Sequence, residues 1–336
     1  MTPGVLETYR LLREVSSING FDVEKPLLDR VMFNTETLPP LGKEYWWFLF
    51  FDRSGEKPIQ MMLLIYRKHG ERMLFNDREM KLRSIGKGEF LGVTSGWVFD
   101  GERLHDLGDG NVKVVLKGGE IVTELAGKRM TLSGGYPDYR LGVSNLIDLT
   151  MGKGEFLGDR DARGVYFPPL GMGWVDIYSD AKGMVLGKPF NGTAHLQKVF
   201  GATPYGPFHW GRIVFTNSST MSFFTLKTGK ESETYFHRSL AFYDTARGEV
   251  VKFENPKLKI TKTEGGWTIN GKKGEKELNI ILDTYAERKL TMRGGGSQVY
   301  VEYAVKAREF KLWTGDHTVT LEDVGAGVGT IEDAYW

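Results

Sequence analysis

Beyond its first twenty residues the chain alternates apolar and polar positions with a period of two, the spacing of strands with one face turned to a core. Val112, Val114 and Leu116 alternate with Lys113 and Lys117, Gly118-Gly119 interrupts, and Ile121, Thr123 and Leu125 resume the pattern. Two alternating runs around a Gly-Gly pair predict a β-hairpin. The same alternation recurs at Leu278, Ile280 and Leu282, and again at Val299, Val301, Tyr303 and Val305, set against Glu302 and Lys306. Turn signals at Asp109-Gly110, Asn270-Gly271 and Gly294-Gly295-Gly296 separate further runs. One helix is predicted ahead of all this. Thr2-Pro3 suits its start, Val5, Tyr9 and Leu12 share a face, and Asn19-Gly20 stops it. Many short strands with almost no helix predict an all-β protein of antiparallel sandwiches or barrels. An alternating α/β fold lacks the helices it needs.

One segment breaks the alternation. Tyr45 to Phe51 reads Tyr-Trp-Trp-Phe-Leu-Phe-Phe, with Glu44 before it and Asp52-Arg53-Ser54-Gly55 after it. As a strand it places Tyr45, Trp47, Leu49 and Phe51 on one face and Trp46, Phe48 and Phe50 on the other. Both faces then need shelter, which a barrel wall provides when its outer side is covered as well. For Trp46, Trp47, Phe48, Phe223 and Phe224 a place in the core is the commoner fate; a ligand cage is the alternative.

The 336 residues suit two domains. The Gly/Pro-rich stretch from Phe200 to Pro207 is the expected junction, dividing the chain into 1–202 and 203–336. The heptapeptide Gly-Lys-Gly-Glu-Phe-Leu-Gly occurs at 86–92 and 152–158, but its flanks differ and no repeat array follows. The net charge of +1, from 44 basic and 43 acidic residues, argues against nucleic acid or an anionic membrane as partner. Cysteine is absent, which excludes disulfides, thiolate metal sites and a cysteine nucleophile. Glutamine is scarce as well, a mildly thermophile-like composition. With no signal-peptide core and no membrane-length apolar run, the expectation is a cytoplasmic protein without integral membrane association.

Three segments carry a family resemblance. Glu44-Tyr-Trp-Trp-Phe, Phe208-His-Trp-Gly-Arg-Ile and Gly327-Val-Gly-Thr-Ile-Glu332 stand in the order of comparable strands in the carotenoid 1,2-hydratase (hydroxyneurosporene synthase) and AttH-like group. The first is similar to a Glu-Trp-Trp-Tyr-Phe strand near the start of that group's first barrel. The second resembles the Asp-His-x-Trp-Gly segment that opens its second barrel, and the third the strand that closes it. The resemblance implies two lipocalin-like antiparallel β-barrels in tandem, preceded here by a short N-terminal helix; a related branch includes fungal Diels–Alderases. Two positions depart from the group's pattern. Anchored on Trp210-Gly211, the Asp-His pair falls on Pro207-Phe208, and histidine stands one place late at His209. A one-residue shift turns a strand side chain to the opposite face. The group's Tyr-x-Asp pair falls on Tyr235-Phe236-His237, with His237 in place of the acid.

Protonating an isolated alkene and adding water needs an acid, aromatic rings to stabilise the cation, and a base. The candidate catalytic residues are His209, Glu233, Tyr235 and His237. Glu233, Tyr235 and His237 share strand parity, and a carboxyl in an apolar pocket keeps its proton to higher pH. Competing with these roles are a solvated rim for Glu233, among Lys230, Glu231 and Arg238, and a structural strand-end role for His209. The candidate ligand-binding residues are Trp47, Trp210, Phe223 and Tyr235.

Other motifs fall short. Gly325-Ala-Gly-Val-Gly lacks the helix a dinucleotide loop requires. Asp159-Arg-Asp-Ala-Arg-Gly puts Arg163 where a calcium loop needs a carboxylate. The six histidines are scattered, so neither a metal site nor a cofactor is expected. The leading reading is binding of an apolar, isoprenoid or lipid-like small molecule in a barrel cavity or in a cleft between barrels. The alternatives are a hydratase- or cyclase-type lyase acting on an isoprenoid double bond and, from another class, a carbohydrate-binding β-sandwich.

Overall fold

A computed structural model describes residues 25–335, apart from 36–37, 54–57, 155–160, 168–171, 202–205, 230–233 and 295–296. The helix expected over the first twenty residues and the candidate Glu233 lie outside the described residues. The protein is all-β. The chain divides into two compact units: Met1–Asp52, Ile59–Pro204 and Met292–Gly295 in the first, and Arg53–Pro58, Tyr205–Thr291 and Gly296–Trp336 in the second. Among the described residues no helix is long and apolar enough to cross a membrane.

Among the described residues the first element of the first unit is helix α1 (Lys25–Met32). Its strands are β1 (Lys43–Asp52), β2 (Gln60–Lys68), β3 (Arg72–Phe75), β4 (Arg78–Lys81), β5 (Arg83–Gly86), β6 (Glu89–Phe99) and β7 (Leu104–Leu116). They continue as β8 (Glu120–Leu125), β9 (Lys128–Gly135), β10 (Asp138–Val143), β11 (Ile147–Lys153), β12 (Ala162–Phe167), β13 (Met172–Val185) and β14 (Lys188–Gly201). Ten of these form an antiparallel barrel in the order β11-β10-β9-β8-β7-β6-β2-β1-β14-β13, closed where β13 returns to β11 with Ile147 opposite Val185. The hairpin read from the alternation is β7–β8. Lys117 and Glu120 exchange backbone hydrogen bonds across Gly118 and Gly119, both at positive φ, the backbone a two-residue turn of this kind requires.

The aromatic run is β1, and both of its faces are buried, with only Tyr45 partly exposed. Trp46, Phe48 and Phe50 point inward and pack with Met61, Leu63 and Ile65 of β2 and Phe90 of β6 in one core. Helix α1 lays Leu27, Leu28, Val31 and Met32 into that core. Its C-terminal carbonyls find donors there: the Trp46 indole binds Met32 O at 2.8 Å, and the Lys198 ammonium binds Val31 O at 3.0 Å. Lys198 also pairs with Glu44 at 2.7 Å, which Arg67 approaches to 2.6 Å and the Thr35 hydroxyl to 2.8 Å. Burial raises the Glu44 carboxyl, but the two cations outweigh it and hold it below the usual range.

The second unit contains β15 (Phe208–Phe215), β16 (Thr220–Lys227), β17 (Tyr235–Asp244), β18 (Glu249–Glu254), β19 (Leu258–Thr263) and β20 (Gly266–Lys273). Strands β21 (Lys276–Arg293), β22 (Ser297–Trp313), β23 (Thr318–Thr320) and β24 (Gly327–Tyr335) follow, with a single helical turn α2 (Leu321–Val324) before β24. The main path is β18-β17-β16-β15-β24-β22-β21-β20-β19. Val251 and Phe253 of β18 enter the same core as Leu258 and Ile260 of β19, so the two end strands wrap around one interior. Gly211 serves that core directly. A Cβ there would fall 2.4 Å from the Phe223 ring, so the Trp-Gly pair lets that ring lie flat against β15.

Candidate functional site

Strand parity sorts the second unit's candidates onto two faces. His209 lies inward with Gly211, Ile213 and Phe215; Phe208, Trp210 and Arg212 lie outward. Phe223 is core, 2% exposed and packed among the interior residues. Trp210, Tyr235 and His237 share the outward face, so the structure separates His209 and Phe223 from them.

The inward face collects polar groups around His209, which is 5% exposed. Its Cα partner on β24 is Asp333, and Nε2 stands 3.3 Å from Asp333 Oδ1. The His209 amide donates to Thr225 Oγ1 at 3.1 Å, fixing the strand under the ring. The imidazole meets the Trp267 indole edge to face at 5.1 Å, and Trp267 meets Tyr303 in the same way at 5.5 Å. Lys262, exposed on β19, donates to the Tyr303 hydroxyl with its ammonium 4.5 Å from the ring centre. The row therefore runs from solvent at Lys262 to full burial at Trp267. Two atoms in it, His209 Nδ1 and Trp267 Nε1, are buried without any hydrogen-bond partner in the protein.

Charge is distributed unevenly along the row. Burial pushes the Asp333 carboxyl up, but the hydrogen bond and charge of His209, with Lys262 and Lys227, hold it below its ordinary value. Burial also raises the Tyr303 hydroxyl, against the opposing hydrogen bond from Lys262. Asp333 is thus a carboxylate at neutral pH and Tyr303 a neutral phenol.

The outward face is aromatic with two buried acids. Phe208 contacts Phe224 at 5.7 Å and Tyr300 at 5.8 Å, and Phe224 contacts His237 at 6.1 Å. His237 itself is exposed, with Nε2 3.0 Å from the Ser239 hydroxyl. Tyr235 is partly buried beneath the Arg238 guanidinium, 4.5 Å from its ring centre. Glu332 is the Cα partner of Trp210 on one side and of Glu302 on the other. Sequence alternation set Glu302 opposite the apolar positions of its strand; the structure buries it completely and leaves Glu332 8% exposed. Burial and the Glu302 carboxylate hold the Glu332 carboxyl well above the usual range. Glu332 ends the third segment that carries the family resemblance but was not among the candidate residues, and nothing in the sequence paired it with Glu302.

The first unit holds a separate polar cluster on the outward side of its barrel. Asp176 Oδ1 accepts from His195 Nε2 at 2.9 Å and Gln197 at 2.8 Å. Its Oδ2 accepts from Arg163 Nε at 2.7 Å and the Trp174 indole at 3.1 Å. Burial raises this carboxyl, but Arg163 and His195 more than offset that and hold it far below the usual range. Arg163, which spoiled the calcium-loop pattern, is thus a partner of a buried carboxylate. Trp47 lies on the outward face of β1 in the same unit, 4% exposed and edge-on to Tyr45 at 6.2 Å.

Of the seven described tryptophans only Trp313 is exposed. The row of open rings that a sugar-stacking face requires is missing among the described residues, which removes the basis of the carbohydrate-binding reading.

These features define a protein of two antiparallel β units with the lipocalin-type tandem-barrel fold. No family model matches the sequence, and no curated protein matches it. Solved structures do. CghA is similar over 95% of this chain and 95% of its own, at 10% identity and a TM-score of 0.55. An AttH-like protein of Nitrosomonas europaea covers 87% of this chain and 92% of its own, at 14% identity and a TM-score of 0.48. Kievitone hydratase from Nectria haematococca covers 87% and 88%, at 12% identity and a TM-score of 0.47. The likeness expected from the three sequence segments is therefore a likeness of fold.

Proposed function

We propose that this protein binds an apolar small organic molecule, of isoprenoid or lipid-like type, within its second unit, with a polar group of the ligand at His209 and Trp267. The observation that carries this reading is the pair of buried ring nitrogens without partners. Native interiors pair more than about 90% of buried polar groups, and each unmet one costs about 1–3 kcal/mol. Here two such atoms stand in rings that contact one another. The surrounding Phe223, Val301 and Ile331 supply an apolar wall. The fold supports the reading in kind: a structure of CghA is described with Sch210972 bound. The test is thermal shift and calorimetry across a panel of lipids and isoprenoids, on the wild type and on His209→Phe, which keeps an aromatic ring and removes both polar nitrogens. Binding by the wild type and its loss in the variant is the expected result. No binding across the panel, or equal binding by both proteins, overturns it.

A second reading, a hydratase- or cyclase-type lyase acting on an isoprenoid double bond, is favoured by one observation. Glu332 retains its proton above the ordinary carboxyl range and is the cross-strand neighbour of Trp210. A protonated acid beside an aromatic ring is what protonation of an alkene and stabilisation of the resulting cation demand. Turnover of an isoprenoid alkene that survives Glu332→Gln would remove it.

A further inference from the structure

We propose that the first unit carries a binding site of its own, for an amphiphilic carboxylate of medium chain length, in a pocket at one end of its barrel. The pocket has a volume of about 380 Å³ and lies where β2 runs out into the turn before β3, with β5, β6 and the segment after α1 as its other walls. Its cations are Arg67, Lys68 and Arg83, its one acid is Glu71, and Leu38, Leu82 and Leu91 supply an apolar side. Hydrogen bonds tie these walls together. The His69 amide donates to Gly42 O at 2.7 Å, His69 Nδ1 donates to Leu38 O at 3.1 Å, and the Leu82 amide donates to Glu71 O at 2.7 Å. The space is therefore preformed.

Positive charge is in excess along it. Arg67 is buried against Glu44, a carboxylate it shares with Lys198, so two cations draw on one anion there. Among the described residues Arg83 forms no ion pair. Lys68 donates to the Gly294 carbonyl, a neutral acceptor that leaves its charge unanswered. Lys68 also has Lys43 directly opposite it on β1, and like charges so placed repel. Burial lowers the pKa of both ammonium groups, that of Lys43 to about 7. Cations held at a partly buried wall cost less once an anion joins them.

The walls also select the kind of anion. A guanidinium presents a planar fork of N–H groups that fits the two oxygens of a carboxylate, and an ammonium adds a point charge. Glu71 opposes a dianion more strongly than a monoanion, which favours a carboxylate over a phosphate monoester. An ammonium head meets three cations, and an alcohol leaves the positive excess in place. The leucines give the ligand's chain a surface to lie on. At the ~30 Å³ that one water occupies, the space takes about a dozen non-hydrogen atoms, the size of octanoate. Every lining residue belongs to the first unit, so this site stands apart from the ligand proposed for the second.

The experiment titrates the full chain with octanoate, octanol, octylammonium and octyl phosphate by calorimetry at low salt. Octanoate is expected to bind at least ~10-fold more tightly than octanol or octylammonium, the loss that follows when a charge-assisted hydrogen bond goes unmade. Arg83→Gln should weaken octanoate by ~10-fold, whereas Glu71→Gln should strengthen it. Both residues are exposed, so the fold tolerates either change, and opposite signs are a result that mere loosening of the structure does not give. Absence of octanoate binding, equal affinity for octanol, or a shift in the same direction in both variants overturns the site. Tighter binding of octyl phosphate than of octanoate overturns the carboxylate assignment.

Discussion

Replacing Glu332 with glutamine tests whether the buried acid pair shares a single proton. Glu302 and Glu332 are direct cross-strand partners on one face of β22 and β24. Directly opposed residues hold their Cβ atoms about 5 Å apart, and two unit charges at that distance repel by about 3 kcal/mol at an effective dielectric of about 20. Burial adds to this, so the folded state binds a proton at Glu332 more tightly than the unfolded chain does. The sign follows from linkage. The stability that the protonated pair contributes is complete below the unfolded value near 4.5, and it is lost as pH rises through the elevated folded value. Glu332→Gln keeps the shape and an N–H donor while removing the ionisation. Urea unfolding should therefore find the variant more stable than wild type by about 1–3 kcal/mol at about pH 8 and nearly equal to it at about pH 5. A variant equally destabilised at both pH values would refute the reasoning, because it would show the carboxylate making favourable contacts that glutamine cannot.

Asp176→Asn leaves the half-buried Arg163 and the buried His195 without their anion and should cost about 3 kcal/mol at neutral pH. The folded value of Asp176 lies far below its unfolded value near 3.8, so its contribution is present above that range and falls away as the solution is acidified. Denaturation curves should accordingly show wild type losing its advantage over Asp176→Asn in acid; a constant gap would contradict the assignment. Gly183→Ala strikes the seam that closes the first barrel. The residue has φ +150°, and a Cβ there would lie 2.0 Å from the Asp148 carbonyl on β11. A loss of about 1–3 kcal/mol and faster amide exchange along β11 are expected, while Gly142→Ala, with open space around its Cβ, serves as the mild control.

The site was legible only in part. The offset of His209 from the resembled group's histidine position at Phe208 signalled a change of face, but His209 was still grouped with Tyr235 and His237, from which strand parity separates it. The aromatic run likewise announced a strand sheltered on both sides. What sequence could not supply was company. Trp267 stands beyond His209 by more than fifty positions, and Asp333 by more than a hundred; neither carries a local mark of its role. The burial of Glu302 could not be read because, on an alternating strand, a charged residue looks the same whether its face meets water or is covered.

The amino-acid order by itself marked the alternating strands and the Gly118-Gly119 turn, because alternation follows from a backbone whose pleat repeats every two positions. Its turn signals at Asp109-Gly110 and Asn270-Gly271, however, fall inside β7 and β20. Only the tertiary structure decided which strands lie side by side and in what register. That choice set an imidazole against Asp333 and Trp267, and brought two glutamates together under cover. Register is fixed by contacts between distant segments, so the chemistry it creates belongs to the assembled sheet and to no stretch of the chain read alone.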